Sequence, residues 1–107
     1  MDKTGIEEIF AAAGQVTIKR LFGGKGIYHR GTIIAAVMED EILLKVDAVS
    51  SPSFAAAGAT QWIYDYPNGK KIRMPHWTVP AAAMDDPDQR AVWVRLALAA
   101  ANRAAGK

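Results

Sequence analysis

Residues 26–46 read GIYHRGTIIAAVMEDEILLKV, and this stretch decides the fold. It holds three β-rich runs, 26–29, 32–38 and 42–46, separated only by Arg30-Gly31 and by the charged turn Glu39-Asp40-Glu41. Strands joined by connections this short run antiparallel, because a parallel pair needs a crossover of a dozen or more residues. If the first loop is Arg30-Gly31 alone, Tyr28 faces Ile33 and Ile27 faces Ile34. The run 33–38 is apolar at every position, which predicts a central strand covered on both faces. Ile42, Leu44 and Val46 alternate against Lys45, as in a strand with one face on a core.

Upstream, Val16, Ile18 and Arg20 alternate with Thr17, Lys19 and Leu21, predicting a strand that runs through Phe22 into the corner Gly23-Gly24-Lys25-Gly26. Before it, Ile6, Ile9, Phe10 and Ala13 recur at helical spacing. Thr4 with Glu7 has the form of a capping box, and Gly14 is the stop, so a helix is expected over 4–13. Downstream, 47–58 reads as a short helix with Asp47 or Ser51 as cap, Pro52 in its first turn and Gly58 at its end.

Runs 61–66 and 71–74 flank Pro67-Asn68-Gly69-Lys70, and Asn-Gly between such runs signals a two-residue hairpin turn. Pro75 and Pro80 bracket an extended connector, His76-Trp77-Thr78-Val79. Asp86-Pro87-Asp88-Gln89 announces the last helix, with Asp86 as N-cap, Pro87 at the first helical position, and Trp93, Leu96, Ala97 and Ala100 as its core stripe to about Ala104. The expected fold is α+β: an antiparallel sheet of about five to six strands, a meander plus a hairpin, packed with N-terminal, central and C-terminal helices.

The chain's 107 residues suit one domain, taken as 1–107, and half of them are apolar. There is no cysteine, so disulfides, thiolate nucleophiles and cysteine-based zinc sites are excluded by composition. Glu7 and Glu8 follow closely on Met1-Asp2-Lys3, which is unlike a secretory leader, and no apolar run reaches the roughly 18–20 residues of a membrane span. A cytoplasmic protein without membrane attachment is expected.

The net charge of +2 conceals local clusters: Lys19, Arg20, Lys25 and Arg30 occur with no acid between Val16 and Arg30, while Glu39-Asp40-Glu41 and Asp85, Asp86 and Asp88 are acidic. The glycine-rich corner invites comparison with a phosphate loop, yet it lacks the spacing, the following Ser or Thr and the following helix. His29 and His76 are the only histidines and have no carboxylates at ligand spacing, so no metal site and no cofactor are expected. Ser50, Ser51 and Ser53 lack a nearby histidine and read as capping residues, and Asp85-Asp86 reads as a helix start rather than an acid–base couple. No catalytic residue is assigned.

The hairpin is the most informative surface. With Asn68-Gly69 as a two-residue turn, Tyr66 pairs with Lys71 and Tyr64 with Arg73, placing Trp62, Tyr64, Tyr66, Lys71 and Arg73 on one face and Ile63, Asp65, Ile72 and Met74 on the other. Aromatics flanked by cations are what a platform for single-stranded nucleic acid requires, although such pairs also stabilise ordinary hairpins. The candidate binding surface is Lys19, Arg20, Lys25, Tyr64, Tyr66, Lys71, Arg73 and His76.

The segment Arg20-Leu21-Phe22-Gly23-Gly24-Lys25-Gly26-Ile27-Tyr28 resembles the R-M-F-G-G-x-G-I-Y opening of the N-terminal domain of the TfoX/Sxy competence regulators. Leu43-Leu44-Lys45-Val46-Asp47, Met74-Pro75-His76-Trp77-Thr78-Val79-Pro80 and Trp93-Val94 with the alanine-rich end agree in order, so the resemblance covers about Arg20 to Arg103. It implies an α+β domain, here read as stand-alone without the regulators' C-terminal helical domain. It also implies relation to bacterial proteins that promote competence gene expression as coactivators with a cyclic-AMP receptor protein. His76 stands where the family often has tyrosine. The resemblance brings no catalytic or ligand-binding residue with it.

Together these readings predict a non-enzymatic regulatory or adaptor domain acting on a protein partner, with transcription machinery as one such partner. The alternatives are a nucleic-acid-binding module using the basic and aromatic hairpin face, and an enzyme or binder of a small polar metabolite. A homodimer through an edge strand is a further option.

Overall fold

The computed structural model of the chain describes residues 2–21 and 23–106. Among them, α1 (Lys3–Ile9) is followed by a 3₁₀ turn at Ala11–Ala13, then by strands β1 (Thr17–Leu21), β2 (Gly24–His29), β3 (Thr32–Met38) and β4 (Glu41–Lys45). Helix α2 (Ser51–Ala56), strands β5 (Gln61–Asp65) and β6 (Lys71–Thr78), a 3₁₀ turn at Ala81–Ala83 and the long α3 (Pro87–Ala104) complete the order. The strands form one antiparallel sheet in the order β1-β2-β3-β4-β6-β5, which bears out the expected α+β class. No helix among the described residues is long and apolar enough to cross a membrane.

One face of the sheet carries the core. Ile42, Leu44 and Val46 from β4 and just beyond it join Ala35 and Val37 of β3 and Ile27 of β2. Helix α3 lies across β3 and β4 and contributes Val94, Ala97 and Ala101. The small alanines let its backbone approach the sheet closely, and the stripe is centred on Val94 rather than on Trp93 and Leu96, which are partly buried beside it. Ile6 and Phe10 of the N-terminal segment and Phe54 of α2 fill the margins, with the Phe54 ring edge-on to Trp93 at 4.8 Å between centroids.

The meander follows the expected turns. Arg30 and Gly31 both have positive φ, 50° and 82°, the geometry that matches a two-residue hairpin loop to the twist of its strands. Tyr28 pairs with Ile33 as expected, but Ile27 pairs with Ala35, because a bulge inserts Ile34 as an extra residue. Glu39 and Asp40, at φ 52° and 63°, make the second tight turn and bring Met38 opposite Glu41.

The caps depart from the sequence pattern at two of three helices. Asp2, not Thr4, caps α1, its Oδ1 accepting the Gly5 N–H at 2.8 Å. At α2 the Asp47 carboxylate instead organises the turn before the helix, accepting from the Val49 and Ser50 N–H groups and from the Ser50 hydroxyl. Its two oxygens also receive Nε and Nη2 of Arg103 at 2.7 and 2.9 Å, a fork that ties the end of α3 to the β4–α2 connection. The Arg103 hydrogen bonds hold the Asp47 carboxyl well below the usual carboxylate range. At α3 the expectation holds: Asp86 Oδ1 accepts the Asp88 and Gln89 N–H groups, and Pro87 opens the helix.

The predicted connector 76–79 is largely strand. β6 runs through Pro75 and gains a second partner beyond it: residues 71–73 pair with β5 alone, while His76, Trp77 and Thr78 pair with β4 and Trp77 also stays opposite Gln61 of β5. The missing Pro75 N–H falls in a bulge of β6, where Met74, Pro75 and His76 stand against Trp62 alone between the Gln61–Trp77 and Ile63–Arg73 pairs, and Gln61 Nε2 donates to the Met74 carbonyl there at 3.0 Å. The Pro75 carbonyl still accepts the Val46 N–H at 3.0 Å.

Candidate interaction surface

The sheet's second face, away from α3, is organised around small residues. Lys19, Gly26, Ala36, Leu43 and Thr78 form one cross-strand row through five strands. Gly26 lies beneath the Tyr28 ring, where a Cβ would come to 2.8 Å from Cε1, and Lys19 Nζ sits 5.1 Å from the centre of that ring. Gly24 has no room for a side chain because a Cβ there would meet the Val37 carbonyl oxygen. Tight packing therefore explains two glycines of the 23–26 corner, and β2 rather than a helix follows the turn, as the phosphate-loop pattern would not have it. The expected strand through Phe22 has its last residue outside the described residues.

The hairpin register differs by one residue from the sequence expectation. The Tyr66 N–H donates to the Lys70 carbonyl at 2.8 Å and the Gly69 N–H to the Tyr66 carbonyl at 3.0 Å. Asp65 then pairs with Lys71, Tyr64 with Ile72 and Ile63 with Arg73. Pro67 and Asn68 are the central residues of a four-residue turn from Tyr66, and Gly69, at φ 85°, closes it as a left-handed bulge residue. The Asn-Gly signal marked the turn but not its type; Pro67 at the second position and glycine at the fourth suit a type I turn.

A slip of one residue turns one strand's side chains to the opposite face relative to its partner. Lys71 and Arg73 accordingly share a face with Asp65 and Ile63, not with Tyr64, and Lys71 Nζ lies 3.7 Å from Asp65 Oδ1. Arg73 faces a cleft beside Asp47, Gln61 and Trp77 on the helical side. Tyr64 shares its face with Ile72.

His76 is a second correction: it is 4% exposed, with neither ring nitrogen hydrogen-bonded. The Trp62 ring stands edge-on to it at 6.1 Å, and Lys45 is its cross-strand partner. Burial first, and the Lys45 charge second, push its pKa down to about 4, so the ring is neutral at pH 7. It supports the hairpin from within and is no part of an exposed surface.

Trp62, Tyr64 and Tyr66 form an aromatic ladder beside His76, with centroids 6.0 Å apart for the first pair and 4.9 Å for the second. Trp62, Ile63, Tyr64 and Asp65 line a cleft of about 480 Å³ together with Met38, Glu39, Glu41 and Leu43. In a flat sheet Asp65 and Glu41 would lie at opposite ends of β6, so the hairpin bends across the second face, as a bulged strand does. This bend is how Leu43, turned away from α3, is 2% exposed. The sequence signal for it was present, since Ile42-Leu43-Leu44 is apolar without alternation.

The eight predicted residues thus fall in separate places. Lys19 belongs to the Tyr28 cluster. Arg20 and Lys25 are cross-strand partners and line a cleft of about 660 Å³ with Leu21, Gly23, Gly24, Val37, Glu39 and Asp40, so the basic segment meets the acidic turn. Tyr64 and Tyr66 lie on the ladder, Lys71 and Arg73 on the opposite face, and His76 inside. Sequence reasoning missed Ile63 and Ile72 as exposed apolar groups, at 49% and 37%, whereas Tyr66, which it did name, is 39% exposed. Among the described residues, no group of three His, Asp or Glu side chains is placed to hold a metal ion.

A six-stranded antiparallel sheet with helices on one face and a bent aromatic hairpin on the other defines an α+β domain whose distinctive surface is apolar. The protein-family model of the TfoX N-terminal domain matches residues 8–101, and the chain belongs to that family. A search of curated proteins found no match.

Proposed function

We propose that this chain is a non-enzymatic regulatory or adaptor domain of the cytoplasm that engages a protein of the transcription machinery through the outer end of its aromatic hairpin. The observation that carries this reading is the exposure of Tyr66 and Ile72 beside Tyr64, apolar groups that the domain's own core leaves in water. Tyrosine with an aliphatic neighbour suits the centre of a protein interface. The family supports the same direction, since the resemblance to competence coactivators implies a cyclic-AMP receptor protein as the first partner to test. The nucleic-acid alternative loses its main support, because Lys71 and Arg73 do not flank the aromatic row.

The test is titration of a labelled cyclic-AMP receptor protein with the wild-type chain, with Tyr66→Ser/Ile72→Ser and with Lys71→Glu/Arg73→Glu. The apolar double substitution is expected to weaken binding by roughly tenfold or more, and the charge reversal to change it little. A parallel titration of labelled DNA and RNA over a range of salt settles the alternative. Steeply salt-dependent binding that the charge reversal abolishes would replace the present reading.

A further inference from the structure

The two outer strands of the sheet are β1 and β5, and each leaves one row of backbone groups without a neighbouring strand. They are not protected alike. β1 carries Lys19 and Arg20 side by side in its centre, so a second copy laid antiparallel about Lys19 would set that ammonium against its own symmetry mate. β5 reads Gln61-Trp62-Ile63-Tyr64-Asp65, with its single charge at the end and a 49%-exposed isoleucine at the centre.

The backbone phase of β5 fits the same symmetry. The Tyr66 N–H donates to Lys70 across the hairpin, so by the two-residue alternation of an antiparallel ladder Tyr64 also faces β6, while Ile63 and Asp65 direct their N–H and C=O outward. Beyond the bulge, the Thr78 N–H donates to the Thr60 carbonyl, which puts Gln61 in the outward phase too. Residues 61, 63 and 65 therefore present the free edge.

We propose that the chain forms a two-fold dimer by antiparallel pairing of β5 with β5 of a second copy, centred on Ile63. Ile63 then meets its symmetry mate as a hydrogen-bonded pair, and Gln61 meets Asp65 at both ends. The Gln61 amide, one of whose N–H groups already reaches the Met74 carbonyl, can donate the other to the Asp65 carboxylate of the second copy, and the two Asp65 charges lie at opposite ends of the paired strands. On the ladder face Trp62 comes opposite Tyr64 of the second copy, an aromatic pair of the kind that stabilises cross-strand contacts. The two sheets become continuous, and the pairing removes an exposed edge that β1 guards with charge instead. This inference stands apart from the proposed protein partner, which engages Tyr66 and Ile72.

Analytical ultracentrifugation of the full chain across a wide concentration range tests it, with Ile63→Lys on β5 and Lys19→Glu on β1. Ile63 is half exposed, so the lysine should leave the fold intact, which circular dichroism checks. The expected result is a wild-type dimer whose dissociation constant rises by roughly tenfold or more in Ile63→Lys and stays unchanged in Lys19→Glu. Hydrogen exchange should show concentration-dependent protection at the Ile63 and Asp65 amides. A wild-type chain monomeric at every concentration overturns the proposal, as does a dimer that survives Ile63→Lys with its new protection on β1. Loss of receptor-protein binding in Tyr66→Ser/Ile72→Ser with an intact dimer, or the reverse, separates this inference from the functional one.

Discussion

The meander β3–β4 and the hairpin β5–β6 are both antiparallel pairs, yet they are held in register by different things. In β3–β4 the apolar positions are enclosed on both faces: Ala35 and Leu44 lie under α3, and on the other face Ala36 and Leu43 are also buried, Leu43 beside the bent hairpin. A slip by one residue would exchange these two buried sets, and the two-residue Glu39-Asp40 turn leaves no slack for it. In β5–β6 the strands are half exposed on both faces, so burial constrains register weakly and the turn decides it. A hydrophobic pattern is therefore informative only where the tertiary structure covers it.

The largest expected effect tests that contrast directly. Leu44→Ala removes a fully buried side chain beneath α3 and should cost about 3 kcal/mol in urea unfolding, whereas Ile72→Ala on the hairpin, 37% exposed, should cost less than about 1 kcal/mol. Similar losses at the two sites would mean that the hairpin is as much a part of the core as β4.

The next concerns His76, at the junction of the two regions. Its pKa is about 4 when folded and near 6.5 when unfolded, so below pH 6.5 the unfolded chain takes up a proton that the folded chain refuses. Stability should fall as pH drops from 6.5 to 4, by about 3 kcal/mol in all, and this contribution should level off below pH 4. His76→Phe should flatten that window in unfolding experiments run at stepped pH. The Asp47–Arg103 fork acts in a different window: because the Asp47 pKa is lowered on folding, its contribution is complete above the ordinary carboxylate pKa near 4 and is lost as pH falls further. An unchanged pH profile in His76→Phe would mean that the imidazole is solvated in solution.

The smallest effect sharpens the register itself. Asp65 stands opposite Lys71, so Asp65→Lys should destabilise the hairpin by a few tenths of a kcal/mol, and adding Lys71→Asp should restore it. With Tyr66 opposite Lys71 instead, the swap would give no rescue. A double-mutant cycle distinguishes the two.

Several elements are legible in the sequence because their signals are local. The Asp86-Pro87 helix start satisfies orphan amides within one turn, and the Arg30-Gly31 turn needs only two residues able to take positive φ. The antiparallel meander and the α+β class follow from the shortness of the connections. The pattern misleads at Thr4, where Asp2 reaches the Gly5 N–H, and at Pro75, where the strand continues because a bulge in β6 takes Pro75 out of the ladder with β5. It also misleads for the binding surface, since Lys71 and Arg73 depend on turn type and His76 on a bend.

By itself the sequence determined the class of fold, the family, the meander and roughly where the three helices of the described residues lie, because turn chemistry and periodicity act over a few residues. Only the tertiary structure decided which side chains share a face. The burial of His76, the cover over Leu43 and the contrast between a charged β1 edge and an apolar β5 edge arise from contacts between segments distant in the chain, and the hairpin register from a turn whose type the residue pattern left open. In such contacts a displacement of one residue reverses what a side chain meets.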